Sequence, residues 1–209
     1  MMISKAFCNA FITPMAAVAG AVADTVLDAM RTATQLQRAY VNNGGDIALH
    51  LGPGQSFATA MMDHQGQDLG RIEITQADGI GGIATSGRHG RSLSLGIADS
   101  VTVLAHSAAQ ADAAATLIAN AVDLPGHPAI HRQPASDLQD DSDLGERLVV
   151  TGCDTLSADD IDTALQAEQR ALDMQRANHI IAAALFLQGE CRLVGNTGFT
   201  PSIRTQLYA

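Results

Sequence analysis

The chain opens with a long, alanine-rich apolar stretch, after which apolar residues occur in short runs. Residues 14–38 are long enough for a helix, and Thr13-Pro14 is typical of a helix start, with Thr as N-cap and Pro at the first helical position. The short runs that follow are β-branched or apolar and are bounded by Gly or Asp, which predicts strands. These predicted strands cover residues 47–51, 57–62, 71–75, 80–85, 92–95 and 101–105.

The second half repeats this order of helix and strands in outline, which indicates a duplicated motif. Ser107 and Ser157 each precede a predicted helix, over residues 108–122 and 158–177, and Asp160 completes a capping-box pattern with Ser157. The remaining predictions are a strand at 149–150, an acidic loop or short helix at 136–146, a hairpin at 180–187 and 191–194, and a tail at 196–209. Together they predict an α+β fold, with long helices packed on antiparallel sheets in a single domain over residues 1–209.

The composition is that of a folded chain with an aliphatic core. Hydrophobic residues make up 46% and charged residues 16% of the 209 residues, so enough apolar surface is available for a core. Aromatic residues make up only 3%, and Trp is absent, so the core has to be built from Ala, Val, Ile, Leu and Met. No run of about 20 apolar residues occurs, and we expect no membrane-spanning helix.

The net charge of −10 argues against a nucleic-acid partner, which needs clustered Lys and Arg. Lys5 is the single lysine, so contacts to an anion would come from Arg side chains, backbone N–H groups or a bound metal. The three cysteines, Cys8, Cys153 and Cys191, stand far apart and form no C-x-x-C pair. This usage favours a reducing compartment, and we predict a cytoplasmic protein.

The N-terminus allows a second interpretation. Ala21-Val22-Ala23 resembles a signal-peptidase site after an apolar run, which would place the protein outside the cytoplasm. The run is interrupted by Asn9 and by Thr13-Pro14, however. Thr13-Pro14 is typical of a helix start. We therefore predict that residues 14–23 are helical and stay in the mature protein, while the signal-peptide alternative remains open.

Two glycine segments are candidates for ligand contacts. Gly20 lies inside the first predicted helix, where Gly costs about 1 kcal/mol relative to Ala, so a close approach by another backbone or by a ligand is expected. Asn43-Gly44-Gly45-Asp46 forms a turn in which positive φ angles would let consecutive N–H groups point at one anion. The alternatives are a small-residue packing face for Gly20 and a plain hairpin for the turn.

Two further segments combine groups that suit phosphate and metal binding. Residues 81–91 contain hydroxyls, several glycines and two cations, Arg88 and Arg91, which suit a phosphate or nucleotide; a polar hairpin is the alternative. Asp112 and Thr116 share one helix face at i, i+4 spacing, and oxygen ligands there suit Mg²⁺; a solvated polar face is the alternative. We interpret His127 and His131, which flank Pro128, as ordinary loop histidines.

Taken in order, these segments resemble the motifs of the ApbE-like superfamily, the FAD:protein FMN transferase fold. The matching segments are Ala19-Gly20-Ala21-Val22-Ala23-Asp24, Asn43-Gly44-Gly45-Asp46, Ala84-Thr85-Ser86-Gly87, Ser100-Val101-Thr102-Val103 and Asp112 with Thr116. Characterised members of the family split FAD with Mg²⁺ and transfer FMN to a Thr or Ser of an acceptor protein. The resemblance therefore implies a flavin nucleotide and Mg²⁺ as cofactors, and an acceptor protein as a partner.

The resemblance also implies roles for individual residues. Asp112 and Thr116 would be the metal ligands, assisted by a backbone carbonyl near Val18. Arg88 and Arg91 are the candidates for stabilising charge during catalysis. The flavin-nucleotide groove would be lined by Gly20, Asn43, Gly44, Gly45, Asp46, Thr85, Ser86 and Gly87.

Three departures from the family pattern identify a divergent branch. Ala19 and Ala21 replace the Lys and the aromatic residue of the first motif, and residues 88–99 replace the H-x-x-D-P-x-T-G segment. Family chains also carry more sequence, including strands, before the first helix. We expect a nucleotide-binding protein with little or no FMN-transferase activity; a Mg²⁺-dependent FAD pyrophosphatase or FMN transferase and a non-catalytic structural subunit are the alternatives. The oligomeric state stays open, a homo-oligomer included.

Overall fold

The computed structural model describes residues 11–195, 198–202 and 205–208, the last four by their backbone alone. In chain order, the strands are Arg38–Asn43 (β1), Asp46–Leu51 (β2), Ser56–Met62 (β3), Asp68–Thr75 (β4), Gly82–Ser86 (β5), Ser100–Ala105 (β6), Ile130–Pro134 (β7), Leu148–Cys153 (β8), Ala182–Leu187 (β9), Glu190–Val194 (β10), Phe199–Pro201 (β11) and Thr205–Tyr208 (β12). The helices are Val18–Ala33 (α1), Ala108–Ala121 (α2), Ala135–Leu138 (α3), Ala158–Leu165 (α4) and Glu168–Arg176 (α5).

A seven-stranded sheet forms the centre of the fold, with the strand order β1-β2-β5-β6-β9-β10-β12. Its neighbouring strands run antiparallel, except for the parallel pair of β10 and β12. A three-stranded sheet, β11-β4-β3, and a two-stranded sheet, β7-β8, complete the β structure. The predicted α+β class, with helices packed on antiparallel sheets, is confirmed at this level.

Two apolar cores lie on opposite faces of the large sheet. One contains α2, α4 and α5 and is largely aliphatic, with Val103, Ile118 and Leu185 fully buried. The other lies under the three-stranded sheet and contains Ile72 and Phe186. The large sheet is therefore the middle of three layers, with helices on one side and β3, β4 and β11 on the other.

The alanine and glycine content explains how closely the helical layer approaches the sheet. A Cβ atom on Gly82 would lie 2.2 Å from the backbone nitrogen of Ala108 at the start of α2. Asp24 of α1 accepts hydrogen bonds from the N–H groups of Ala108 and Ala109, at 3.0 and 2.9 Å. Asp24 thus satisfies free donors at the N-terminus of α2 and ties the two helices together.

The first predicted helix is shorter than expected. A 3-10 turn, Pro14–Ala17, leads into α1, which ends at Ala33 instead of residue 38. Thr34 is already extended, and Arg38 starts β1, whose pairing with β2 begins opposite Leu51. Pairing with a neighbouring strand outweighs the helix propensity of residues 34–38.

Other boundaries also differ from the predictions. Residues 92–95 form an irregular segment instead of a strand, the predicted helix over 158–177 is divided into α4 and α5, and His131 lies in strand β7. The predicted tail contains two strands, since β11 pairs with β4 and β12 pairs with β10. These pairings involve segments far apart in the chain, which local patterns do not report. Lys5 and Cys8 lie outside the described residues.

Within the part of the chain that the structure describes, no helix is both long enough and apolar enough to cross a membrane. The longest helix, α1, has 16 residues and carries Asp24, Asp28 and Arg31.

Candidate functional site

A pair of half-buried carboxylates lies at the start of β2. Asp46 directly follows the Gly44-Gly45 turn, and Asp112 faces it from α2. Burial, with the nearby charge of Asp112, raises the pKa of Asp46 to about 7, although Arg91 opposes the shift. Burial also raises the pKa of Asp112. Two carboxylates in such a site share a proton at neutral pH or attract a cation.

Gly20 holds Asp112 in place. Its backbone N–H donates a hydrogen bond to Asp112 Oδ2 at 3.0 Å. A Cβ atom on Gly20 would lie 2.3 Å from the carbonyl oxygen of Ala108, so α1 and α2 cross with their backbones in contact. The packing role of Gly20 is therefore observed, whereas a contact between Gly20 and a cofactor stays a prediction.

The Asn43–Asp46 turn is anchored on both sides. Gly44 and Gly45 have φ angles of 72° and 114°, which favour glycine. Asn43 Nδ2 donates to the carbonyl oxygen of Ala19 at 3.1 Å, and Arg91 Nη2 donates to the carbonyl oxygen of Gly44 at 3.2 Å. Arg91 therefore lies against the turn and beside Asp46.

Thr116 lies one helical turn beyond Asp112, on the same face of α2. Both side chains are half-buried, whereas the other residues from Ala111 to Ala119 are buried. Asn120 continues this face, but its Oδ1 accepts a hydrogen bond from the N–H of Leu95 at 3.0 Å. Asn120 therefore supports the neighbouring loop, while Asp112 and Thr116 are the side chains of this face that remain for a ligand.

A cavity of about 340 Å³ lies between the end of β5 and the turn that joins β3 to β4. Apolar, histidine and hydroxyl side chains surround it. Its lining residues are Met62, Asp63, His64, Gln67, Leu69, Thr85, Ser86, Gly87, His89, Gly90, Asp99, Ser100, Phe186 and Gly189.

Asp99 organises the polar wall of this cavity. Its Oδ1 accepts from Arg88 Nη2 at 2.6 Å and lies 3.3 Å from His89 Nε2, and its Oδ2 accepts from the N–H of Gln188 at 2.5 Å. Arg88 is therefore held in an ion pair. Its charge is already balanced by Asp99, which reduces what it offers to an anionic ligand.

Two histidines close one side of the cavity. The rings of His64 and His89 stack with centroids 3.6 Å apart and planes 13° from parallel. Burial, together with the neighbouring Arg88 and His64, lowers the pKa of His89, although Asp99 opposes the shift. His89 is therefore neutral at pH 7 and presents a flat, polarisable surface.

The carboxylate pair and the cavity lie on opposite faces of β5. Thr85 lies on the face of β5 that points to the three-stranded sheet. Its Oγ1 lies 2.8 Å from Thr102 Oγ1, and Ile83, two residues earlier on the same face, belongs to the core under that sheet. Ala48, which lies two residues after Asp46 on the same face of β2, packs in the helical layer. The predicted groove is thus divided by the sheet, with the turn on one side and the cavity on the other.

The segment 87–91 joins the two parts around the end of β5. A Cβ atom on Gly87 would lie 2.5 Å from the carbonyl oxygen of Asp99, so the chain bends there in close contact. From this bend, His89 reaches the cavity and Arg91 reaches Gly44. Segment 87–91 therefore links the turn on one face of the sheet to the cavity on the other.

Some lining residues were not singled out from the sequence. His64 and Asp99 come from a hairpin turn and an irregular segment, and neither stands in a recognisable pattern. Only the pairing of β6 with β9 and the position of the β3–β4 turn bring them together. A signal was available for Asp99 alone, since it directly precedes the Ser100-Val101-Thr102-Val103 motif.

The donor set limits what metal this region could hold. In the described residues, no group of three or more His, Cys, Asp or Glu side chains is placed to bind a metal ion. Asp46, Asp112 and the Thr116 hydroxyl provide hard oxygen donors only. Such a set suits Mg²⁺, which takes few protein ligands and completes its shell with water and phosphate oxygens.

These features define an α+β protein with a carboxylate pair at a glycine turn and a cavity of about 340 Å³ on the other side of β5. The family described as "AbpE bacteria" matches residues 1–193, and the chain belongs to this family. An ApbE-related family, as the sequence motifs predicted, is therefore confirmed.

The chain is also similar to archaeal proteins named UPF0280. It is 39% identical over 125 residues to one from Methanothrix thermoacetophila, covering 57% of this chain and 52% of that protein. It is 41% identical over 120 residues to one from Methanococcus vannielii (54% and 46%), and 40% identical over 111 residues to one from Methanopyrus kandleri (52% and 43%). The chain spans about half the length of the curated relatives it matches.

Proposed function

We propose that this protein binds a flavin nucleotide, or a related nucleotide with a pyrophosphate, together with Mg²⁺. The pyrophosphate and the ion lie beside Asp46 and Asp112, and the ring system lies in the cavity beyond segment 87–91. FMN transfer to an acceptor protein is weak or absent.

The observation that carries this proposal is the placement of two half-buried carboxylates, Asp46 after the glycine turn and Asp112 on α2, close enough to interact. Burying two carboxylates together is unfavourable unless a proton or a cation balances them. A divalent cation does so and attracts phosphate oxygens as well, which a chain with a net charge of −10 otherwise repels. Thr116, one turn further along α2, adds a neutral oxygen donor to the same face.

The cavity supports the ring-binding half of the proposal. A volume of about 340 Å³ is at the lower end of the range found for small-molecule sites. Met62, Leu69 and Phe186 give it apolar surface, and the stacked pair of His64 and His89 gives it a flat wall. Apolar walls with a few fixed polar groups suit a planar heteroaromatic ring.

Several features argue for binding without efficient FMN transfer. The family's Lys and aromatic residue are Ala19 and Ala21 here, and the H-x-x-D-P-x-T-G segment is replaced. Arg88 is held in an ion pair with Asp99. Arg91 interacts with Asp46 and is therefore the cation beside the carboxylate pair. Losing one charge-stabilising donor costs roughly 10²–10³ in rate, and here more than one is absent.

A Mg²⁺-dependent FAD pyrophosphatase or FMN transferase is the second candidate function. The observation that favours it is the pair of His89 with Asp99, at 3.3 Å, in the cavity wall. Because its pKa is lowered, His89 is neutral at pH 7 and is able to accept a proton from an attacking hydroxyl or water.

Isothermal titration with FAD, FMN and ADP, each with and without Mg²⁺, tests the proposal. We expect binding of FAD that weakens at least tenfold without Mg²⁺ or in Asp112→Ala, whereas Asp28→Ala, at an exposed site on α1, leaves it unchanged. Absence of FAD binding in the presence of Mg²⁺ would refute the proposal, and binding unaffected by Asp112→Ala would locate the ligand elsewhere.

Product analysis separates the two candidate functions. The protein is incubated with FAD, Mg²⁺ and a family acceptor protein, and nucleotides and covalent flavin are then measured. FAD recovered intact agrees with a binding protein. FMN and AMP, or a flavinylated acceptor, formed by the wild type and lost in Asp112→Ala and His89→Ala, would establish the enzyme instead.

A further inference from the structure

The outer edge of the large sheet is strand β1, which in the described residues pairs on one side only, with β2. The connecting turn has two residues, Gly44 and Gly45, so the flanking pair Asn43 and Asp46 is hydrogen-bonded. Since backbone groups alternate in direction along a strand, those of Arg38, Tyr40 and Asn42 point to the open edge. An open edge of this kind is a template for another strand.

An apolar stripe on α1 lies next to this edge. Val18, Val22, Val26 and Met30 recur every four residues, and their exposed fractions are 42%, 47%, 44% and 37%. Met15, in the preceding 3-10 turn, is 61% exposed and extends the stripe. Single exposed apolar residues are ordinary, but a continuous row along a whole helix indicates a contact surface.

The stripe faces away from α2 and beyond β1. At 100° per residue, the buried residues Gly20, Ala23 and Leu27 define the face toward the sheet, and Asp24 lies toward α2, whose N-terminus it caps. The stripe lies on the opposite flank of α1. Because α1 packs over β1 and β2 while α2 packs over β5 and β6, that flank overhangs the open edge of β1.

We propose that two copies of this chain associate through this surface, β1 against β1 and α1 against α1, around a two-fold axis at Tyr40. The outward backbone groups of Arg38, Tyr40 and Asn42 pair antiparallel with those of the second copy. In the register that uses all three, Tyr40 lies opposite Tyr40, and Arg38 lies opposite Asn42. The two sheets then join into one, and the two stripes meet in the helical layer.

Charge favours a second copy as the occupant. A chain with a net charge of −10 repels its own copies over most of its surface, so self-association needs a face without acidic groups. The stripe carries no ionisable side chain, and on β1 the proposed register places Arg38 beside the neutral Asn42 instead of another Arg38. A like-charge contact across the axis is thereby avoided.

The size of the surface also suits a reversible dimer. A helix of 16 residues is about 24 Å long, and with the adjoining strand the face is about 15 Å wide. Such a face covers about 360 Å² per copy, less than half of the roughly 800 Å² per partner of a standard interface, so we expect a weak dimer with a dissociation constant on the order of micromolar or weaker. The dimer does not depend on the proposed nucleotide site.

Sedimentation equilibrium over a concentration series, combined with amide hydrogen exchange, tests this inference. We expect wild-type protein to form a dimer with rising concentration, with Tyr40 and Asn42 amides gaining protection as it forms. Val26→Asp and Tyr40→Lys are expected to weaken the dimer at least tenfold, since both residues are exposed and the monomer tolerates them. Ala21→Asp adds the same charge on the solvent face of α1 and serves as the matched control.

Circular dichroism melts show whether each variant is folded. A monomer throughout the series, or a dimer that Val26→Asp and Tyr40→Lys leave intact, would overturn the inference. Protection of the Tyr40 amide in a monomeric sample would also overturn it, because the edge would then be covered by the same chain.

Discussion

At the scale of single residues, the carboxylate pair sets how this protein responds to pH. The pKa of Asp46 is about 7 in the folded protein, well above the ordinary value of 3.8 for an unfolded chain. Between these two values the folded state binds the extra proton. The contribution of Asp46 to stability is therefore greatest below about pH 4 and declines as the pH rises toward 7.

We predict that Asp46→Asn removes this loss of stability at rising pH, because an amide side chain does not titrate. The difference in unfolding free energy between Asp46→Asn and wild type, from urea titrations at pH 4.5 to 8, should grow in favour of the variant as the pH rises. Asp28→Asn, which removes an exposed carboxylate on α1, is the control. A difference that is flat or shrinks with pH would show that the folded-state pKa is not raised.

Gly20 offers a second prediction at this scale. Alanine normally stabilises a helix interior by about 1 kcal/mol over glycine. Here the new Cβ would lie 2.3 Å from the carbonyl oxygen of Ala108, so α1 and α2 have to separate. We expect Gly20→Ala to cost about 1–3 kcal/mol of unfolding free energy.

The measurement is thermal and urea unfolding of Gly20→Ala beside Thr25→Ala, an exposed substitution on the same helix. Thr25→Ala should be neutral or slightly stabilising. A stabilised Gly20→Ala protein would mean that the helices do not cross in contact.

At the scale of elements, the N-terminus of α2 carries the site and depends on α1. Asp24 accepts from the backbone N–H groups of Ala108 and Ala109, and Ser107 Oγ accepts from Gln110 N–H at 3.3 Å. Three of the helix's free donors are thus satisfied by side chains. This arrangement fixes where Asp112 points.

We predict that Asp24→Ala lowers the unfolding free energy by about 2 kcal/mol, because two partly buried donors lose a charged acceptor. Asp28→Ala, which removes only the exposed pair with Arg31, should cost well under 1 kcal/mol. Urea unfolding of both variants at pH 7 checks this. Equal losses would show that the cap contributes nothing specific.

At the scale of the whole molecule, the C-terminal segment closes the smaller sheet. Strand β11 pairs with β4, with Phe199 opposite Ile72, and Phe199 packs against the core that forms one wall of the cavity. The last strands therefore connect the two sheets. Neither sheet would be complete without them.

We predict that Phe199→Ala lowers stability by roughly 2 kcal/mol, less than a fully buried Phe because the side chain is half-buried. Thr200→Ala, at its exposed neighbour, should have little effect. Differential scanning calorimetry of the two variants is the measurement. An unchanged melting temperature for Phe199→Ala would indicate that β11 does not support the core.

Some elements follow directly from local chemistry. The helical turn at Pro14, the Gly44-Gly45 turn and the Ser107 cap were predicted correctly, because each depends on neighbours within four residues. The Thr13 cap was not, since Thr13 makes no side-chain cap hydrogen bond and α1 itself begins at Val18. The end of α1 and residues 92–95 were predicted wrongly, because strand pairing and packing with distant segments override local propensity there. The predicted tail contains strands because residues 199–201 pair with β4 and residues 205–208 pair with β10, both distant in the chain.

The sequence by itself determined the α+β class, the ApbE-related family and a short list of candidate site residues. Those depend on composition and on motifs that are contiguous in the chain. Only the tertiary structure decided that Asp46 meets Asp112, that Arg88 is held by Asp99, and that β5 divides the predicted groove into two faces. The physical reason is that burial and charge coupling depend on distances through space, which the order of residues does not contain.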